Sequence, residues 1–142
     1  MKKLFALLVL VAGFQFGNAQ GLELEAEPQA EKGVPVLAFT EGEFDFGDIT
    51  QGDKVTHVFS FKNEGSSPLI ISNVQTTCGC TVPEWPKTPI PPGQESEIKA
   101  TFNSAGKMGR QNKVITVHSN ASEPVSRVTL KSNVLAKAAP TN

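Results

Sequence analysis

The residues able to do chemistry in this chain are concentrated in one short stretch. Cys78-Gly79-Cys80 sets two thiols two residues apart. Residues i and i+2 of a strand point the same way, so both sulfurs can share a face. Two cysteines are too few for a disulfide framework or a four-thiolate zinc site. Joined to each other, they close a three-residue loop, which chain entropy makes worth about 1.6 kcal/mol, against about 4.7 kcal/mol for a loop of about 100 residues. Such a bond is a weak staple, and its small ring favours ready reduction. Several readings stay open at this level. The pair could be a structural element, half-buried at a strand end. It could bind copper or zinc together with His57 or His118, with Met108 as a further soft ligand. It could exchange disulfides, or pair with a partner's cysteine. Dedicated exchange enzymes space their thiols C-x-x-C at the start of a helix. Here the spacing is one residue shorter, and Thr81-Val82-Pro83 forbids an immediate helical turn.

Beyond the cysteines the candidates thin out. Thr81 to Gly93 holds five prolines, at 83, 86, 89, 91 and 92. Such a segment is expected to stay out of a hydrogen-bonded ladder and run extended over the surface. Trp85 sits inside it beside Pro86. It either caps one end of the fold or, with Pro83 and Pro86, anchors a binding surface, where aromatic residues carry much of the affinity. His57 lies between Val55 and Phe59 on an apolar face and reads as a core or rim histidine. His118 ends a strand beside Ser119 and Asn120, a surface setting. The nucleophile motif G-x-S-x-G is absent, and Gly106-Lys107-Met108-Gly109 lacks the spacing of a phosphate loop. The expectation is therefore a protein that is not an enzyme and carries no cofactor, with copper or zinc as the alternative.

The elements that position these residues are strands. In Lys54-Val55-Thr56-His57-Val58-Phe59-Ser60-Phe61-Lys62, positions 55, 57, 59 and 61 share one face, the period of two that marks a half-buried strand. Comparable runs recur at 36–39, 43–46, 69–76, 97–102, 113–118 and 125–133, separated by turn-forming residues. About seven short strands over residues 35–135 predict a single all-β domain, an immunoglobulin-like sandwich of two sheets. Its expected core is Phe39, Phe44, Phe46, Phe59, Phe61, Ile98 and Phe102, with Ile71, Val74, Val117, Val128 and Leu130. A cysteine pair three residues long cannot be the cross-sheet disulfide of antibody domains. Gly47 is read as a bend between strands, Asn63-Glu64-Gly65 as a hairpin turn.

Before the domain comes an address. Lys2 and Lys3 precede an apolar run from Leu4 to Ala12, and Gly17 and Ala19 are small residues ahead of Gln20. This is the pattern of a secretory signal over residues 1–19. Its apolar run is far below the roughly 20 residues needed to span a bilayer. Residues 20–34 form an acidic leader, and 136–142 a short flexible tail. From Gln20 to Asp53 there are nine acids and one lysine, and from Lys54 onward ten bases and five acids. A formal net charge of −1 over 142 residues argues against nucleic acid as a partner. At 39% hydrophobic and 19% charged, the chain is neither disordered nor a membrane protein in composition.

Several motifs together carry a resemblance. Phe44-x-Phe46-Gly47-x-Ile49 is followed by Gly52 and by His57-Val58-Phe59-x-Phe61-x-Asn63-x-Gly65. Then come Pro68-Leu69-x-Ile71, Cys78-Gly79-Cys80-Thr81, Pro91-x-Gly93 and Gly109. The series resembles the domain of unknown function 1573 family of exported bacterial proteins, over about residues 39–134. The resemblance implies an immunoglobulin-like sandwich and kinship with ASH and major-sperm-protein type domains, which are mostly binding or scaffold modules. It brings no activity with it. The expectation is a protein-binding or scaffold module of the bacterial cell envelope, most simply periplasmic, with envelope proteins as partners and strand addition at a sheet edge as a mode of contact.

Overall fold

The computed structural model describes residues 33–140. Among the described residues eight strands and no helix make up the fold: β1 Leu37–Phe39, β2 Glu43–Thr50, β3 Lys54–Asn63, β4 Ile71–Thr76, β5 Thr81–Glu84, β6 Glu95–Asn103, β7 Gly109–Ser119 and β8 Val125–Leu135. They form two four-stranded sheets, ordered β1-β3-β6-β5 and β2-β8-β7-β4. The expected export signal, nearly all of the acidic leader and the last two residues of the tail lie outside the described residues.

Alternation along the strands explains the layering. In β3 the buried positions are Phe59, Phe61 and Asn63, and the residues between them face solvent. In β6 they are Ile98, Ala100 and Phe102, and in β8 Val128, Leu130, Ser132 and Val134. These inward rows meet Ile115 and Val117 of β7 and Ile71 and Val74 of β4 in one apolar core. Burying a side chain of this size is worth about 1.5–3 kcal/mol. The longest ladders are β3 with β6, from Lys54 opposite Asn103 to Lys62 opposite Glu95, and β7 with β8, from Gly109 opposite Val134 to His118 opposite Val125.

The N-terminal segment changes sheets. β1 pairs antiparallel with β3, and after Thr40–Gly42 the chain continues as β2, parallel to β8 in the other sheet. Phe39, Phe44 and Phe46 flank this crossing and are only partly buried, packing on the core from its margin. Phe39 meets Phe61 edge-on at 5.7 Å, and Phe44 meets Phe46 edge-on at 5.0 Å.

Three expectations need correction. The proline segment does not stay out of the sheets, because Thr81–Glu84 joins the ladder in spite of Pro83. It does so as an edge strand paired only to β6, with Pro83 opposite Ala100. An edge strand needs only part of its donors for pairing, so it tolerates a proline. Gly47 does not separate strands. It sits inside β2 with φ 69° at a register shift between Asp45 and Asp48, and its N–H donates to Asp45 Oδ1 at 2.8 Å. This is a bulge that bends one strand. Asn63-Glu64-Gly65 is not a hairpin turn either, since β3 and β4 lie in different sheets. Asn63 is fully buried and ties the crossing connections together. Its Oδ1 accepts from Val36 N and Gly65 N, and its Nδ2 donates to the carbonyls of Ser67 and Ile90, all within 2.8–3.2 Å.

Candidate functional site at the disulfide loop and the β5 edge

Cys78 and Cys80 form a disulfide in the tight connection between β4 and β5, with Cα atoms 5.2 Å apart. The loop is held from both sides. Thr76 Oγ1 hydrogen-bonds to the carbonyl of Cys78 at 2.8 Å and to that of Thr81 at 3.1 Å. The carbonyl of Cys80 accepts from Asn103 N at 2.8 Å. Cys80 packs against the core margin, both cysteines are half-buried, and Gly79 is exposed. An open groove of about 310 Å³ runs past the loop, lined by Gly79, Cys80, Val82, Asn103, Lys54 and Lys107. Two cations and no carboxylate line it.

The edge strand continues from this groove. Val82 points outward and is 58% exposed, more than any other large hydrophobic among the described residues. Thr81, Pro83 and Trp85 alternate with it toward the interior. Trp85 packs on the core, as a cap would, and Lys87 Nζ lies 3.0 Å from its ring centroid, a cation–π contact. The indole Nε1 is buried without a partner among the described residues. Pro86 joins Trp85, Glu84, Ser96, Glu97 and Lys99 around a second, shallower groove, where Lys99 pairs with Glu84 at 3.0 Å. The structure thus brings Cys78, Cys80, Pro83, Trp85 and Pro86 onto one edge of one sheet.

It does not bring the histidines to them. His57 faces inward between the sheets, stacked on Phe44 at 3.7 Å and bonded through Nε2 to Glu41 Oε1 at 2.5 Å. Its side chain is 17% exposed, the rim position its neighbours implied. His118 lies on the outer side of the other sheet, bonded to Gln75. The expected metal set of Cys78, Cys80, His57 and His118 is therefore spread over both sheets, and its two sulfurs are bonded to each other. Among the described residues no three His, Cys, Asp or Glu side chains gather around one point. Sequence reading missed the roles of Lys54, Lys107 and Asn103 at the groove. Only Lys107 carried a local signal, the glycines that flank its turn.

A polar cleft on the other sheet, lined by Asp45, Asp48, Arg110, Asn112, Lys131 and Asn133, accompanies the β2 bulge. Two of its groups are engaged within the fold: Asn133 Nδ2 donates to Asp48 Oδ1 at 2.8 Å and Lys131 pairs with Glu43 at 2.6 Å. Among the described residues no helix is long and apolar enough to cross a membrane.

Similar folds occur in solved structures. A protein of unknown function from Porphyromonas gingivalis superposes with a TM-score of 0.60 at 21% identity, over 73% of this chain and 48% of that one. The chain thus spans about half the length of that relative. The ASH/PapD-like domain 7 of human CEP192 gives 0.61 at 8% identity, over 74% of this chain and 89% of that one. The secreted serine protease VesC from Vibrio cholerae gives 0.56 at 16% identity, over 74% of this chain and 24% of that one. At these identities the likeness is one of fold alone, a PapD-like, immunoglobulin-like sandwich. No curated protein matches the chain in sequence. The model of the DUF1573 family, described as a protein of unknown function, matches residues 37–134, from the first residue of β1 almost to the end of β8, and the chain belongs to that family.

Proposed function

We propose that this protein is a non-enzymatic binding module of the bacterial cell envelope that holds an extended stretch of a partner protein along β5. The observation that carries the reading is the edge itself. β5 has a neighbour on one side only, and it presents Val82 to solvent between the disulfide groove and the Trp85 groove. An unpaired strand edge offers backbone donors and acceptors to an incoming strand, and a protruding apolar side chain offers register. The signal pattern at residues 1–19 supports export. The fold shared with the ASH/PapD-like domain supports a module without chemistry of its own.

Capture of partners from a solubilised envelope fraction tests it. Val82→Glu leaves the core untouched, because Val82 is exposed. It is expected to keep the melting temperature and to lose the partner that wild type retains, and amide exchange at Thr81–Glu84 is expected to slow when that partner is added. If the same proteins are captured with equal yield by Val82→Glu, the β5 edge is not the binding surface.

A further inference from the structure

The disulfide loop has features that the binding reading does not use. Its two cysteines are separated by a single residue, so their bond closes a loop too short to restrain the unfolded chain appreciably. It lies wholly within the connection from β4 to β5 and ties no strand to another. Cys80 lines an open groove together with Lys54 and Lys107, and no acid lines that groove. Cations beside a sulfur favour its thiolate, which is both the leaving group and the nucleophile of disulfide exchange. The loop's backbone is tied down independently of the sulfurs, through Thr76 Oγ1 and Asn103 N. Opening the bond therefore leaves the two cysteines in place to close it again.

We infer that Cys78–Cys80 is a disulfide-exchange site whose substrate is a dithiol on another polypeptide. A partner thiolate entering the groove attacks Cys80 Sγ. The Cys78–Cys80 bond breaks, a mixed disulfide forms at Cys80, and Cys78 leaves as a thiolate. The partner's second thiolate then attacks its own sulfur in the mixed disulfide and releases Cys80. Two electrons pass from the partner to Cys78 and Cys80, the partner becomes a disulfide, and the two protons its thiols shed balance those the cysteines take up. The reverse sequence reduces a partner disulfide. The inference is independent of strand addition at β5, because small thiols suffice to test it.

The full-length mature protein is equilibrated with glutathione buffers of graded ratio, quenched by alkylation and weighed. Half-reduction within the range set by millimolar glutathione is the expected result. A bond that stays fully oxidised in millimolar reduced glutathione, with the protein folded, overturns the proposal. Mixing the oxidised protein with a synthetic peptide dithiol is expected to yield one peptide disulfide per Cys78–Cys80 pair lost, and no transfer would also overturn it. Two single variants locate the attacked sulfur. Cys78→Ser leaves Cys80 alone in the groove and is expected to capture glutathione from its disulfide at least tenfold faster than Cys80→Ser does. Equal rates would overturn the assignment to Cys80. Lys54→Gln combined with Lys107→Gln leaves both sulfurs in place. It is expected to slow reduction by anionic glutathione about threefold or more while leaving reduction by neutral mercaptoethanol less affected, as the screened attraction of two nearby cations predicts. An unchanged ratio of the two rates would remove the lysines from the mechanism.

Discussion

Asn63 makes more of this fold's irregular contacts than any residue of the core. Both ends of its side-chain amide are satisfied twice, and its backbone N–H and C=O pair with Gln94 and Gly93. Removing it strands four backbone groups at a buried site, and each unsatisfied group costs about 1–3 kcal/mol unless water reaches it. Asn63→Ala is expected to lower the unfolding free energy by about 2–4 kcal/mol in urea titration, with Asn63→Asp nearly as damaging because it loses both donors. Lys113 makes a different case. Burial, and secondly the nearby Lys107, lowers its pKa from the ordinary lysine value. Its charged form is thus disfavoured in the native state, and the unfolded chain binds that proton more tightly. Stability from this group therefore rises with pH, through the interval between its lowered native pKa and the ordinary lysine range. The chain has no tyrosine and its cysteines are paired, so neither residue type titrates in that interval. Comparing wild type with Lys113→Gln by denaturant titration at increasing alkaline pH should show the rise in wild type reduced in the variant. Parallel curves would show that Lys113 contributes none of it.

At the scale of elements, two glycines separate steric room from backbone conformation. A Cβ on Gly65 would lie 2.1 Å from the carbonyl oxygen of Val34 and 2.6 Å from Pro35 Cα, backbone atoms of the strap that leads into β1. Gly65→Ala must push that strap off the Glu64–Ser66 segment it bonds to, and is expected to cost about 1–3 kcal/mol and to speed amide exchange in 34–39. Gly47, in the β2 bulge, has open space around it and a φ of 69°. Gly47→Ala should therefore cost only the left-handed penalty of about 1–2 kcal/mol, with exchange in β1 unchanged. Equal effects of the two substitutions on β1 would show that the strap contact is not what Gly65 provides. The inward face of β3 was legible from the chain, since Val55, His57, Phe59 and Phe61 alternate as half-buried strands do. β5 was not, because its four residues include a proline and no local pattern tells an edge from a loop.

For the molecule as a whole, stability rests on the two packed sheets and not on the cross-link. Phe59, Phe61, Ile98, Phe102, Ile115, Val117 and Val128 are shielded from solvent almost completely by strands of both sheets. The disulfide spans only residues 78–80. Full reduction is therefore expected to lower the unfolding free energy by no more than about 1.6 kcal/mol, the whole chain-entropy value for so short a loop. Reduced protein should still unfold in a single cooperative transition, and a much larger loss would mean that the loop organises the β4–β5 side of the sandwich.

Composition and alternation in the chain alone were enough for an all-β sandwich, for most of its core and for the one pair of residues with redox chemistry. Those properties are local: a period of two needs only neighbouring residues, and two thiols spaced by one glycine are close in any conformation. Which strands share a sheet, the parallel pairing of β2 with β8, and the edge position of β5 depended on tertiary structure, because contacts between residues dozens of positions apart decide them. The same holds for the site. Cys78 and Cys80 could be read directly, whereas Lys54 and Lys107 reach their groove from the start of β3 and from the β6–β7 turn, and His57 and His118 part company only when the two sheets close face to face.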